Sequence, residues 1–255
     1  MLEILFLFAA GLMAGAVNSL AGGGSFIAFP ALLLAGVPPV LANATNTFAA
    51  WPGYVSGAIG YWPQIMENRN RLISYLAAAL IGGLLGAELL LRVNDEQFSI
   101  VVPWLMGLAV IMFAHGSNLS AWIGKHSQKM KSGAKLAIFA LWLLLTLICL
   151  YGGFFNAGLG IILLAFFALA GISNIHAMNG VKLLLSATVA SVAIVRFAIE
   201  GSIAWYEGSF VFGGSLVGGF ISAKLAKFIP TPILRAGIII YGTLLTMVFF
   251  WQAYG

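Results

Sequence analysis

The stretch Asn18-Ser-Leu-Ala-Gly22-Gly23-Gly24-Ser25 interrupts an otherwise apolar run from Ile4 to Leu34. Each of three consecutive glycines weakens a helix by roughly 1 kcal/mol relative to Ala. In a bilayer the backbone groups freed by such a break must be satisfied by protein, by trapped water or by a ligand. A related break, Ala157-Gly158-Leu159-Gly160, recurs in the second half. Paired interruptions at corresponding places in two halves of a membrane chain point to a transporter's substrate site.

Composition places the chain in lipid. Apolar residues make up 62% and charged residues 7% of 255 residues, against about 45–50% and about 25% in soluble domains. At about 20 residues per crossing, the chain has room for 8 to 10 membrane segments and no soluble catalytic module. The expected fold class is therefore all-α: a polytopic membrane protein of two inverted repeats with broken or re-entrant helices. The N-terminus reads as a membrane segment and not as a cleaved leader, since Glu3 stands where a leader carries Lys or Arg. A single cysteine, Cys149, excludes an internal disulfide.

Apolar segments run from about Leu2 to Leu20, Phe26 to Ala35, Val40 to Trp62, Leu72 to Leu91, Phe98 to Ala114, Leu136 to Phe155, Ile161 to Ala170, Ile175 to Ile199, Phe210 to Ala223 and Ile233 to Trp251. Nine of the twelve Lys and Arg residues fall in three connections: Arg69 and Arg71; Lys125, Lys129, Lys131 and Lys135; Lys224, Lys227 and Arg235. By the positive-inside rule these connections face the cytoplasm. The alternation requires an odd number of crossings per half, either five helices or three helices plus a hairpin, with both termini outside. A shift of 135 residues pairs Gly23 with Gly158, Gly36 with Gly171, Ala42 with Ala177 and Ser56 with Ser191. The expected division is a first membrane repeat over 1–116, a cytoplasmic linker over 117–135 and a second repeat over 136–255.

Within the first half Asn18, Gly22, Gly23, Gly24, Ser25, Asn43, Thr45 and Asn46 form the densest polar set. Asn156, Gly158, Gly160, Asn179 and Lys182 answer them in the second. Short helices starting after the breaks would aim free N–H groups and positive dipole ends into the membrane, an arrangement that favours an anion. The competing reading is that the glycines only permit close helix packing. Lys182 is the one lysine deep within an apolar run, where a cation costs at least ~2.5–3.5 kcal/mol. Asn179 lies about one helical turn before it, on the same face. A structural partner such as Glu88 is the alternative for this lysine. Glu88 and His176 are the candidates for coupling, although Glu88 near a helix end and His176 at a helix start also suit interfacial roles. Arg196 and Glu200, four apart, are expected to pair.

No metal-ligand cluster, nucleophile elbow or phosphate loop followed by Lys is present in the sequence, so neither a cofactor nor an enzyme is expected. The stretches GLMAGAVNSLAGGGSFIAFPALLLAGVPPVLANATNTFAAWPG and YGGFFNAGLGIILLAFFALAGISNIHAMNGVKLLLSA together resemble the sulfite exporter TauE/SafE family. Ala165 stands where Pro30 would recur, and Leu159 interrupts the second glycine run. The resemblance implies movement of small anions, including sulfite and organosulfonates. The expected protein is a secondary transporter and exporter of such anions, working by alternating access in the inner (plasma) membrane. Its partners would be a small anion, the bilayer and, in a homo-oligomer, further copies of itself, with no nucleic acid. The alternatives are an anion channel on the same pore, or anion uptake coupled to protons or sodium.

Overall fold

The computed structural model describes residues 1–21, 23–127, 135–172, 174–225 and 231–255. Among these, eleven helices follow one another without a strand: α1 (Leu2–Ala21), α2 (Ser25–Leu34), α3 (Pro39–Gly60), α4 (Trp62–Met66), α5 (Arg69–Leu91), α6 (Asp95–Ser127), α7 (Lys135–Phe154), α8 (Leu159–Leu169), α9 (Ile175–Ile199), α10 (Trp205–Leu225) and α11 (Thr231–Tyr254). Ten of them coincide with the ten apolar segments. The eleventh, α4, is a single turn that starts where Pro63 occupies the first helical positions, which tolerate a missing N–H. α6 continues to Ser127, so the beginning of the expected linker is helical.

Four helices among the described residues are long and apolar enough to cross a membrane: Arg69–Leu91, Asp95–His115, Ile175–Ile199 and Ala236–Tyr254. The chain is an all-α polytopic membrane protein.

Both glycine breaks separate real helices, between Ala21 and Ser25 and between Phe154 and Leu159. The short helices that follow end in the same turn. Gly36 at φ 81° and Gly171 at φ 81° are left-handed. Gly36 N donates to Leu33 O at 3.0 Å and Val37 N to Leu32 O at 3.1 Å, while Gly171 N donates to Ala168 O at 3.2 Å and Ile172 N to Phe167 O at 3.0 Å. Each is a helix end closed by a residue that only glycine fills without strain. The two turns repeat bond for bond at the 135-residue shift.

Long-range bonds fix where those turns sit. Val40 N donates to Asp95 Oδ1 at 2.8 Å, which places the α2–α3 turn beside the α5–α6 connection. At the other end of the molecule, Arg71 donates to Ala170 O at 2.8 Å and Asn174 to Glu67 at 3.1 Å. The α8–α9 turn therefore lies beside the start of α5. α1 runs parallel to α10: the β-carbons that Gly11 and Gly15 lack would strike the backbone of Val211 and Ser215. α7 runs parallel to α5 in the same way, Gly82 meeting Thr146 and Gly86 meeting Leu150. Small residues four apart let these backbones touch. Following the directions through, α1–α2 and α7–α8 are hairpins whose tips lie inside the molecule. Of the other helices, α5, α6, α9 and α11 hold the four membrane-length spans. The core around the hairpins is aromatic: Phe29 of α2 packs against Phe98, Phe155 and Phe249 at ring separations of 6.4, 6.0 and 6.1 Å.

Candidate functional site

The second break is held open by side chains. α7 ends at Phe154, leaving carbonyls without helical partners. Asn43 of α3 donates its Nδ2 to Phe154 O at 2.7 Å, and the Tyr151 hydroxyl donates to Ala157 O at 2.7 Å. Gly158 is left-handed at φ 80°, and a β-carbon there would stand 3.0 Å from that of Ala109. α8 then begins, with Ile161 N and Ile162 N both bonded to Gly158 O. Gly160 N has no backbone acceptor among the described residues.

Lys182 lies over this helix start. A β-carbon on Gly160 would be 3.2 Å from Lys182 Cδ, and Lys182 Nζ donates to Asn179 Oδ1 at 3.1 Å. Among the described residues it forms no ion pair. Glu88, the sequence's alternative partner for it, is engaged elsewhere: Arg196 at 2.9 Å and Arg92 at 3.3 Å. Arg196 also pairs with Glu200 at 2.8 Å, as their spacing predicts. Glu88 thus ties the end of α5 to α9. His176 is exposed at the start of α9, stacked on Tyr61 with ring centroids 6.3 Å apart.

α3 joins the two breaks. The Tyr54 hydroxyl faces the side chains of Asn18, from α1, and Asn156, from the second break. Among the described residues neither Asn156 Nδ2 nor Oδ1 finds a hydrogen-bond partner of good geometry, although the residue is buried. Asn43 Oδ1 and Asn46 Oδ1, on the same helix as Tyr54, are also buried without partners among the described residues. Buried amide atoms left in this way mark places that water, an ion or a ligand completes. Sequence reading passed over Tyr54, because an aromatic in an apolar run looks like core. Its spacing from Asn43 and Thr47, which puts all three on one stripe of α3, is the signal that would have found it.

The remaining candidates are placed differently. Thr45 is saturated by structure, donating to Leu41 O at 2.7 Å and accepting from Ala204 N at 3.0 Å. Ser25 is buried at the first residue of α2. Gly24 lets the returning arm of the first hairpin touch Ala14 and Asn18. The space beside Gly23 is filled by Ile238, Phe113 and Phe26, whose nearest atoms lie 3.1, 3.4 and 3.5 Å from where its β-carbon would be. A side chain there would have to displace apolar neighbours. Gly22 lies outside the described residues. The residues brought together are thus Asn18, Tyr54 and Asn156, with Asn43 and Asn46 on the same helix, and Gly160, Asn179 and Lys182 at the start of α8.

A chain of this architecture, with membrane-length helices around two broken hairpins, is built as transporters are. The family model described as sulfite exporter TauE/SafE matches residues 7–249, and the chain belongs to that family. A Haemophilus influenzae protein named "Probable membrane transporter protein" is 27% identical over 245 residues, covering 95% of this chain and 92% of the relative. A Sinorhizobium protein, "Probable membrane transporter protein ORF9", is 27% identical over 239 residues, with 93% and 88% covered. The Escherichia coli K12 "Probable membrane transporter protein YfcA" is 26% identical over 256 residues, with 100% and 91% covered. No solved structure gives a significant match. The chain is a membrane transporter of the TauE/SafE family.

Proposed function

We propose that the protein moves small anions, sulfite, organosulfonates or related organic anions, across the inner membrane by alternating access. The carrying observation is Lys182: a lysine without an ion-pair partner among the described residues, lying over the unbonded N–H of Gly160 at the positive end of α8. An anion there would gain a full charge and a helix dipole at once. Asn179 orients the ammonium, and Asn156, Asn18 and Tyr54 line the neighbouring interior. Asn43 gives one of its two amide N–H groups to Phe154 O, and its Oδ1 is buried without a partner among the described residues.

The three basic connections would face the cytoplasm, and the two hairpins would reach the site from opposite sides in two inverted halves. Rocking of those halves would expose the breaks alternately. An anion moving alone gains ~2.3 kcal/mol per 100 mV on leaving a cell that is negative inside, so export requires no second ion.

Binding of sulfite, organosulfonates, sulfate and carboxylates to purified protein, followed by counterflow in proteoliposomes, tests this reading. Saturable binding with anion-for-anion counterflow is expected. Unitary currents without counterflow would make the same pore a channel, and absence of binding by every anion would refute the reading.

A further inference from the structure

The other side of the same break has the opposite chemistry. The last helical N–H to reach back into α7 is that of Phe155, bonded to Tyr151 O at 2.7 Å, so the carbonyls of Gly152 and Gly153 accept no backbone hydrogen bond among the described residues. Both glycines are buried. They sit at the negative end of a 20-residue helix. Facing them is α3, whose Asn43 is tethered to Phe154 O through Nδ2. That bond settles which end of the amide is oxygen, and Asn43 Oδ1 is left buried without a donor. Asn46, three residues on and 1% exposed, also leaves its Oδ1 without a donor. Neutral oxygens of two elements, joined through the Asn43–Phe154 bond, are therefore left with nothing to accept from among the described residues. A buried amide or carbonyl in this state costs free energy unless something positive completes it.

We propose that the C-terminal end of α7 and the facing side of α3 bind a small monovalent cation, Na⁺, through Asn43 Oδ1, Asn46 Oδ1 and the free carbonyls of Gly152 and Gly153. Oxygen-only ligation suits a hard cation, and a set without carboxylates suits one charge instead of two. Unwound carbonyls and half-helix C-termini are the groups a broken helix offers to such an ion, as its N-termini are those offered to an anion. The site needs no anion to exist. It bears on transport because Lys182, at the far side of the break, opposes the cation until its charge is met by an anion. Each ligand then tightens the other by the same factor. A monovalent anion and the cation moved together carry no net charge, and the membrane potential no longer sets the direction of net transport.

The test uses purified protein in detergent with chloride held constant and choline exchanged for Na⁺, following the midpoint of thermal unfolding. The wild type is expected to rise saturably with Na⁺, and Asn46→Ala to lose that rise. Lys182→Met should keep it, so that failure of the anion reading leaves this result standing. Asn46→Asp, which adds a negative charge without changing shape, should reach half-saturation at a Na⁺ concentration at least tenfold lower. Equal midpoints in Na⁺ and choline, an undiminished response in Asn46→Ala, or an unshifted one in Asn46→Asp overturns the site.

Discussion

Lys182 and Gly160 are mutually dependent: a β-carbon on Gly160 would stand 3.2 Å from Lys182 Cδ, so the absent side chain is what lets the lysine stem lie flat across the start of α8. Position and charge are thereby separable. Gly160 sets where the ammonium sits, and Asn179, at 3.1 Å, sets how it points.

Gly160→Val should displace the stem while leaving the charge in the protein. The expected loss of anion affinity is at least ~1.5 kcal/mol, the lower end of the range for a hydrogen bond to a charged group. Isothermal titration with the tightest-binding anion checks it. Unchanged affinity would mean that the lysine does not act from this position.

Gly36→Ala and Gly171→Ala place an L-residue in the same left-handed turn, with open space around each β-carbon. Both should lower stability by about 1–2 kcal/mol, the cost of that backbone conformation, and by similar amounts. Unfolding of the two variants side by side measures it. A cost at only one of them would show that the turns are not equivalent in energy, although their bonds repeat.

Glu88→Gln removes the ion pairs to Arg196 and Arg92 but leaves the α5–α9 contact packed. Transport is expected to keep its rate and its pH profile, with a small drop in the unfolding midpoint. Loss of a proton-dependent component in the flux would instead put Glu88 in the coupling role that its place in the sequence suggests.

Cysteines introduced at Asn70 and Ser127 should react only from the cytoplasmic side and one at Asn94 only from outside, in a background where Cys149 is replaced. Labelling of Ser127 and Asn94 from the same side would exclude the inverted arrangement of the two halves.

Much of the architecture was legible because lipid imposes apolar runs of set length, and ten such runs became helices. A shift of 136 residues also pairs Gly82 with Gly218 and Gly83 with Gly219, as markers of a repeat. Their physical work was not legible: Gly82 and Gly218 sit on the parallel seams α5–α7 and α10–α1, where backbones touch. Site residues were harder to read because their partners are distant in sequence. One amide N–H of Asn43 goes to a carbonyl 111 residues away, and Glu88 is claimed by Arg196 at a separation of 108. Residue type announced that these side chains were costly in lipid, but not what they were bonded to. For Gly23, the run of three glycines announced a break, but not that Ile238 and Phe113 lie beside it.

The most direct measurement is titration of one anion against wild type and Lys182→Met, with thermal stability recorded in the same detergent. Methionine keeps the apolar length that packs on Gly160 and removes only the charge. Affinity is expected to fall by about 1.5–3 kcal/mol, the range for a hydrogen bond to a charged group, in a protein that remains folded. Equal affinities in the two folded proteins would contradict an anion site at Lys182.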